Sequence, residues 1–254
     1  MKKVLIGCGI VALIGIVIVC GAGIFLWSKA KNIGEAMQQV VEAIDAGVSE
    51  TDTLFPFDLP EPLAGGEAGL DAERFGLMLE VRKAASEKIR ESSLYAIIQE
   101  SERAQQQGND DFPIFKLLGA LDEIGPDAEV ILAAMFEKLR DSEMSYKEYW
   151  HLTYLGLSAV SVASERGIEL TEIPDEVQAQ MREMQQAFAG QPQMAFEFEQ
   201  YRSSWNKEDD QEILQALDVL RKHQEEIEQA KESIFFDFII KAIEQQMQAQ
   251  NAGR

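Results

Sequence analysis

The chain has 254 residues, 46% hydrophobic and 26% charged, which is typical of a folded globular protein and excludes wholesale disorder. It carries 44 acidic and 23 basic residues, a formal net charge of −21. Because affinity for nucleic acid comes mainly from lysine and arginine neutralising phosphates, this balance excludes nucleic acid as a partner. It also disfavours broad adhesion to anionic lipid head groups.

The first predicted element is an apolar segment, residues 4–27, with 24 consecutive uncharged residues rich in Ile, Val, Leu and Gly. About 20 apolar residues cross the hydrocarbon core of a bilayer, and Trp27 is suited to the head-group level. We therefore expect residues 1–27 to be a single-pass membrane anchor whose partner is the lipid bilayer. Lys2 and Lys3 precede the segment, and removing their two positive charges leaves −23 on the rest of the chain.

Two alternatives to an uncleaved anchor concern processing. A cleaved secretory signal has a shorter apolar core, although Gly21, Ala22 and Gly23 supply small residues for a cleavage site. A lipoprotein signal would acylate Cys20, but Val19 replaces the Gly, Ala or Ser that normally precedes such a cysteine. The positive-inside rule slightly favours a cytoplasmic N-terminus, which predicts a cell-membrane protein with residues 28–254 outside the cytoplasm.

Residues 28–70 are predicted to form a stalk helix followed by a linker. Apolar residues in the stalk follow the 4-3-4 spacing of a coiled-coil seam, which predicts either a homodimer through anchor and stalk or packing on the chain's own domain. These residues are Ile33, Met37, Val40 and Ile44. Residues 49–70 contain three prolines and three glycines, which predicts an extended linker or loop.

Residues 71–254 are predicted to form an acidic α-helical domain. Asp71 is expected to cap a helix that runs toward Gln107, with Arg82 among the residues of its mostly apolar face. A shorter helix follows Asp111, and Gly125-Pro126 is expected to end it and to start another.

Three further elements follow. Ser145 and Glu148 form a capping box for a helix that Gly167 ends. A helix from Pro174 to Gly190 precedes a short aromatic segment around Phe196, Phe198 and Trp205. Asn206 is expected to cap one long helix from Lys207 to Gln248, roughly 60 Å in length. With period-2 alternation confined to a few residues, the predicted fold class is all-α: one N-terminal transmembrane helix followed by an irregular helical-bundle soluble domain.

The densest aromatic cluster is the candidate ligand-binding site. A wall of mixed aromatic and polar side chains can bind a small apolar or aromatic molecule, and the same pattern is typical of an amphipathic helix whose rings fill a core. The cluster consists of Tyr146, Tyr149, Trp150, His151 and Tyr154.

Catalytic and metal-binding patterns are weak. Glu148 precedes His151 by three residues, but a di-iron bundle needs two Glu-x-x-His motifs, and Glu148 is better explained by the capping box. No G-x-S-x-G nucleophile motif occurs, and carboxylates are too numerous to single out a hydrolytic pair. We therefore predict no catalytic residue, metal or cofactor.

We predict a membrane-tethered helical interaction or scaffold protein of a bacterial envelope rather than an enzyme, and its expected partner is another envelope protein. The first alternative is an extracytoplasmic domain that binds a small molecule through the aromatic cluster. A carboxylate-dependent hydrolase is the least favoured.

Overall fold

A computed structural model describes residues 27–58, 69–96, 99, 114–170, 192–205, 210–233 and 236–237. Within these ranges every regular element is helical and none is a strand, so the all-α prediction is confirmed for this part of the chain. The helices are α1 (Trp27–Leu54), α2 (Ala72–Glu91), α3 (Ile114–Asp141), α4 (Tyr146–Glu165), α5 (Pro192–Ser204), α6 (Gln211–Lys222) and α7 (Gln224–Gln229).

The predicted membrane anchor lies outside the described residues, apart from Trp27, which begins α1. Of the helices that are described, none has the length and apolar character needed to cross a bilayer.

Helices α1 and α3 pack side by side and run parallel. Gly47 of α1 lies against the ring of Phe136 of α3. Further along both helices, Glu50 accepts a 2.9 Å hydrogen bond from Arg140, so the two helices advance in the same direction. Val40 and Ile44 of the predicted stalk seam are buried in the same core as the later helices. Helix α1 is thus part of the domain's packing.

Helix α2 runs antiparallel to α3. Near the start of α2, Arg74 donates to the carbonyl of Ser142, just after α3 ends. Just after α2 ends, the backbone and hydroxyl of Ser93 both donate to Asp127 in the middle of α3.

Helix α4 is the central element of the fold. Of its 20 residues 16 are buried, and it packs against α1, α2, α5 and α6. Phe75 from α2 and Leu220 from α6 both contact it beside Gly156. A helix that is covered around its whole circumference belongs to the interior, so α4 positions the candidate aromatic residues inside the core.

The predicted helix starts and stops are confirmed where the signal is local. Asp71 accepts a 2.9 Å bond from the amide of Arg74, and Ser145 accepts a 3.0 Å bond from the amide of Glu148. Gly167 follows the end of α4 with a φ of +69°, the left-handed conformation that glycine adopts without strain.

The predicted continuous helix from Asp71 toward Gln107 is wrong, because the helix breaks at Ser92; residues 93–96 and 99 are helical again, and residues 100–107 lie outside the described residues. Helix α2 ends at Glu91, and Ser92 adopts an extended conformation while its hydroxyl donates to the carbonyl of Ile89 at 2.7 Å. A serine that bonds a neighbouring carbonyl competes with the helical ladder, which accounts for the break.

The predicted break at Gly125-Pro126 is also wrong, because α3 continues through Pro126. Proline inside a helix removes one backbone hydrogen bond, a loss of about 3 kcal/mol. The helix tolerates this loss because six following side chains anchor it in the core: Ala128, Ile131, Leu132, Met135, Phe136 and Leu139.

The aromatic segment near Phe196 is a helix, α5, with Pro192 at its first position, where a missing amide is harmless. The prediction of a single long C-terminal helix is wrong, because the helix is interrupted at His223 and at Ala230. Predictions that involve Asn206 and residues 174–190 and 238–248 lie outside the described residues.

Candidate functional site

The five predicted site residues lie together on the first half of α4, and all are interior. Their exposed fractions range from 0% for Tyr149 to 8% for His151. Tyr146 stacks on Tyr149 at 6.4 Å between ring centroids, and Trp150 meets Tyr149 edge-on at 5.9 Å and Tyr154 at 5.6 Å. The five side chains are therefore largely covered by other atoms of the chain, as core aromatics are.

Three aromatic residues outside α4 complete this cluster. Tyr201 of α5 lies 5.2 Å from the ring of Tyr154, and Phe198 lies 6.4 Å from it. Phe57, in the segment after α1, lies 5.2 Å from the ring of His151. The cluster thus joins three separate parts of the chain.

His151 is a buried, neutral histidine. Its Nδ1 and the hydroxyl of Tyr201 form a hydrogen bond of 2.9 Å. Burial lowers the pKa of His151 to about 4, against a smaller opposing effect of Glu148. The ring is therefore uncharged near neutral pH and carries no proton for acid catalysis there.

A second, polar cluster lies on the α2 side of the same helix. The hydroxyl of Tyr149 donates to Asp237 Oδ2 at 2.6 Å. Arg82 Nε donates to Tyr149 at 3.2 Å and lies 3.3 Å from the same carboxylate oxygen, and its Nη2 donates to Thr153 at 3.0 Å. The guanidinium carbon also lies 5.6 Å from the centre of the Tyr149 ring.

Burial dominates the electrostatics of this cluster. It raises the pKa of Asp237 to about 6, although Arg82 and Tyr149 both act to lower it. Burial also raises the pKa of Tyr149, so the phenol stays protonated. Burial acts to lower the pKa of Arg82, but Tyr149 and Asp237 more than offset it, so Arg82 stays charged.

An acid with a pKa near neutrality is suited to proton transfer. Asp237, Tyr149 and Arg82 are only 1%, 0% and 7% exposed, however, and each polar contact among them joins one element of the fold to another. The arrangement therefore acts first as a cross-link between α2, α4 and the residues after α7.

The sequence contains a signal for this cluster in the positions of its two charged residues. Arg82 falls on the apolar face of its helix, and Asp237 stands between Phe236 and Phe238 in an otherwise apolar run. Two opposite charges at core positions indicate a buried pair, because an unpaired buried charge is strongly unfavourable.

The residues that the structure describes contain no group of three or more His, Cys, Asp or Glu arranged to hold a metal ion. Glu148, the acidic member of the Glu-x-x-His pattern, is bonded to Arg74. Comparison of the chain with models of known families, with curated proteins and with solved structures finds no match.

Proposed function

We propose that this chain is a membrane-tethered helical interaction protein of a bacterial envelope. In this proposal residues 4–27 span the membrane, and the acidic helical domain outside the cytoplasm binds a partner protein. The observation that supports it most is the position of α1, which begins at Trp27, where the apolar segment ends, and enters the domain core at Val40.

This position implies a short and stiff tether. Thirteen residues separate Trp27 from Val40, and at 1.5 Å per residue the helix covers roughly 20 Å between them. Beyond Val40 the helix is fixed by Ile44, which is 1% exposed, and by Gly47 against Phe136. A continuous helix fixes both the distance and the orientation between the membrane span and the domain, so the domain would hold one orientation close to the bilayer.

The charge of the domain supports a protein partner over a lipid one. Between residues 38 and 54, α1 carries four carboxylates and no basic side chain. These are Glu42, Asp45, Glu50 and Asp52. Glu50 and Asp52 pair with Arg140 and Lys147, whereas Glu42 and Asp45 are exposed. Together with the net −23 after the anchor, Glu42 and Asp45 disfavour anionic head groups and favour a basic surface on a partner.

The geometry gives less support to the alternatives. A small molecule at the aromatic cluster would have to displace side chains that are at most 8% exposed. Self-association through the stalk seam would have to withdraw Val40 and Ile44 from the chain's own core. Binding at the aromatic cluster and dimerisation through the anchor stay predictions.

Membrane insertion is tested on the full chain by fractionation with an alkaline wash. The wild type and the Ile14→Leu, Ile18→Leu variant are expected in the membrane pellet and to require detergent for release. An Ile14→Arg, Ile18→Arg variant is expected to leave the pellet, because each arginine at the centre of a spanning helix costs about 2.5–3.5 kcal/mol. A wild-type chain that washes off without detergent would overturn the anchor.

Partner binding is tested by crosslinking in cells followed by capture of the full chain from detergent. We expect a discrete crosslinked protein whose yield falls in a Glu42→Lys, Asp45→Lys variant. The matched control is Glu225→Lys, Glu228→Lys, which reverses two exposed carboxylates at the same three-residue spacing on α7. Absence of any specific crosslinked protein, or equal loss in both variants, would contradict a charge-guided partner.

A further inference from the structure

The described residues after α7 form a short return segment, which we call the strap: residues 231–233 and 236–237. The backbone amide of Ser233 donates to Ser86 at 2.9 Å, and Asp237 reaches Arg82. Moving four residues forward in the strap therefore corresponds to moving four residues back in α2. The strap runs antiparallel to α2 after the break at Ala230.

Three polar side chains of α2 contact the strap, and the strap also buries Phe236 in the hydrophobic core. On α2, Arg82, Ser86 and Arg90 are spaced by four residues, which places them on one face of the helix. Arg90 donates to Glu232 at 2.8 Å, at the end of the seam nearest the break. Burying paired charges contributes little net stability, because desolvation offsets most of their attraction. The polar seam thus adds specificity more than net stability to the burial of Phe236.

Asp237 is the end point of this seam, and its two oxygens differ. Oδ2 accepts from Tyr149 and lies beside Arg82, whereas Oδ1 is buried and has no hydrogen-bond partner. A buried, unpaired oxygen of an ionised carboxylate is unfavourable. A proton placed on Oδ1 removes that charge and leaves both contacts of Oδ2 in place.

Among the described residues, the charged or titratable groups that face Asp237 are Arg82 from α2 and Tyr149 from α4. Arg82 retains acceptors when Asp237 is neutral, because it also donates to Tyr149 and Thr153. Protonation of Asp237 therefore does not leave Arg82 without partners.

We propose that the strap is a reversible latch that docks on α2 and α4 through Asp237, and that protonation of this carboxyl tightens the latch while ionisation loosens it. Burial raises the pKa of Asp237 from 3.8 to about 6 in the docked state, which agrees with this direction. A group whose pKa is raised on docking stabilises the docked state below its free pKa, and this stabilisation is lost as the pH rises through about 6.

The test is hydrogen exchange of the full chain in detergent, with the amide of Ser233 as the reporter of docking. Its protection is expressed at each pH as the ratio of the intrinsic exchange rate to the measured exchange rate. From the two pKa values, the ratio is expected to rise about tenfold between roughly pH 7 and pH 5. A ratio that stays constant or falls would overturn the proposal.

Two variants identify the group responsible. Asp237→Asn, a neutral side chain of the same shape, is expected to show a high ratio at both pH values. Asp218→Asn, which neutralises an exposed carboxylate on α6, is expected to keep the tenfold change. A tenfold change that persists in Asp237→Asn would assign the effect to another group and overturn the proposal.

A third variant keeps the test decisive if Asp237→Asn does not fold. Ser86→Ala removes the α2 acceptor of the Ser233 amide, leaving the carbonyl of Ala230 as its other acceptor, and keeps Asp237 in place. We expect it to lower the ratio at both pH values and to preserve the tenfold difference between them. Loss of that difference in Ser86→Ala would show that Asp237 does not control the latch.

Discussion

Arg74 and Glu148 are joined by two parallel hydrogen bonds of 2.6 Å, from Nε to Oε1 and from Nη2 to Oε2. The same guanidinium donates to the carbonyls of Ser142 and Glu143, so one side chain ties the start of α2 to the start of α4. Glu148 was expected to return to the backbone of Ser145 in a capping box. Ser145 does cap the helix, but the carboxylate is used for the link to Arg74.

The bidentate geometry predicts that Arg74→Lys is not a conservative change. Lysine keeps the charge but loses the planar fork that matches both carboxylate oxygens. We expect the free energy of unfolding of the full chain in mild detergent to fall by about 1 kcal/mol. The measurement is urea unfolding followed by circular dichroism. The control is Arg221→Lys, whose partner Asp218 is exposed, where a change near zero is expected; equal effects would contradict the prediction.

The close packing of α1 on α3 predicts a second position at which a substitution lowers stability. A Cβ at Gly47 would lie 2.4 Å from the ring of Phe136, closer than carbon atoms approach each other. Although alanine is the better helix former, we expect Gly47→Ala to destabilise the domain by about 1–3 kcal/mol through overpacking. Combining it with Phe136→Leu should recover part of the loss in the same urea assay. A stabilised Gly47→Ala variant would show that α1 does not pack closely on α3.

Helix caps are the part of this fold that the sequence predicts best. Asp71, Ser145 and Gly167 act within one helical turn, so the residues that decide the structure are adjacent in the chain. The apolar face of α2 is likewise local, and Phe75, Met78, Leu79, Arg82, Ala85 and Ile89 are all buried as its period indicates.

Features set by distant residues were not predictable in the same way. Helix α3 continues through Pro126 because its later side chains are held by other helices. The break at His223 coincides with a hydrogen bond between the imidazole and the carbonyl of Ala72, which lies 151 residues earlier in the chain. Likewise, the sequence around Asp237 does not indicate that it contacts Arg82 and Tyr149. The sequence pattern shows only that two opposite charges occupy apolar surroundings.

The indole of Trp205 provides a third prediction, on the packing of α5 against α4. Its Nε1 donates to the hydroxyl of Ser158 at 2.8 Å, and both residues are almost fully buried. Ser158→Ala leaves a buried donor unpaired, for which we expect a loss of about 1–3 kcal/mol in the free energy of unfolding. Ser203→Ala, at an exposed position on α5, is the matched control, with an expected change near zero. Tryptophan fluorescence during urea unfolding measures both, and a loss no larger than the control's would contradict the role of this bond.

The fourth prediction concerns pH and follows from the burial of His151. Its folded-state pKa of about 4 lies below the ordinary 6.5, so the folded protein resists taking up a proton that the unfolded chain accepts. The corresponding stability is present above pH 6.5 and is lost as the pH falls through about 4. Asp237 acts with the opposite sign in the same range, because its pKa is raised to about 6.

Substituting His151 separates the two opposing effects. In His151→Gln the amide oxygen of the glutamine can still accept a hydrogen bond from Tyr201. The glutamine side chain, unlike the histidine, takes up no proton between pH 4 and pH 6.5. We expect the wild type to lose stability faster than this variant on acidification, by at most about 1.4 kcal/mol per pH unit. Urea unfolding of both chains at several pH values measures this difference, with His223→Gln as the control for the other histidine. If the His151→Gln and wild-type curves run parallel, the imidazole takes up its proton as readily in the folded chain as in the unfolded one.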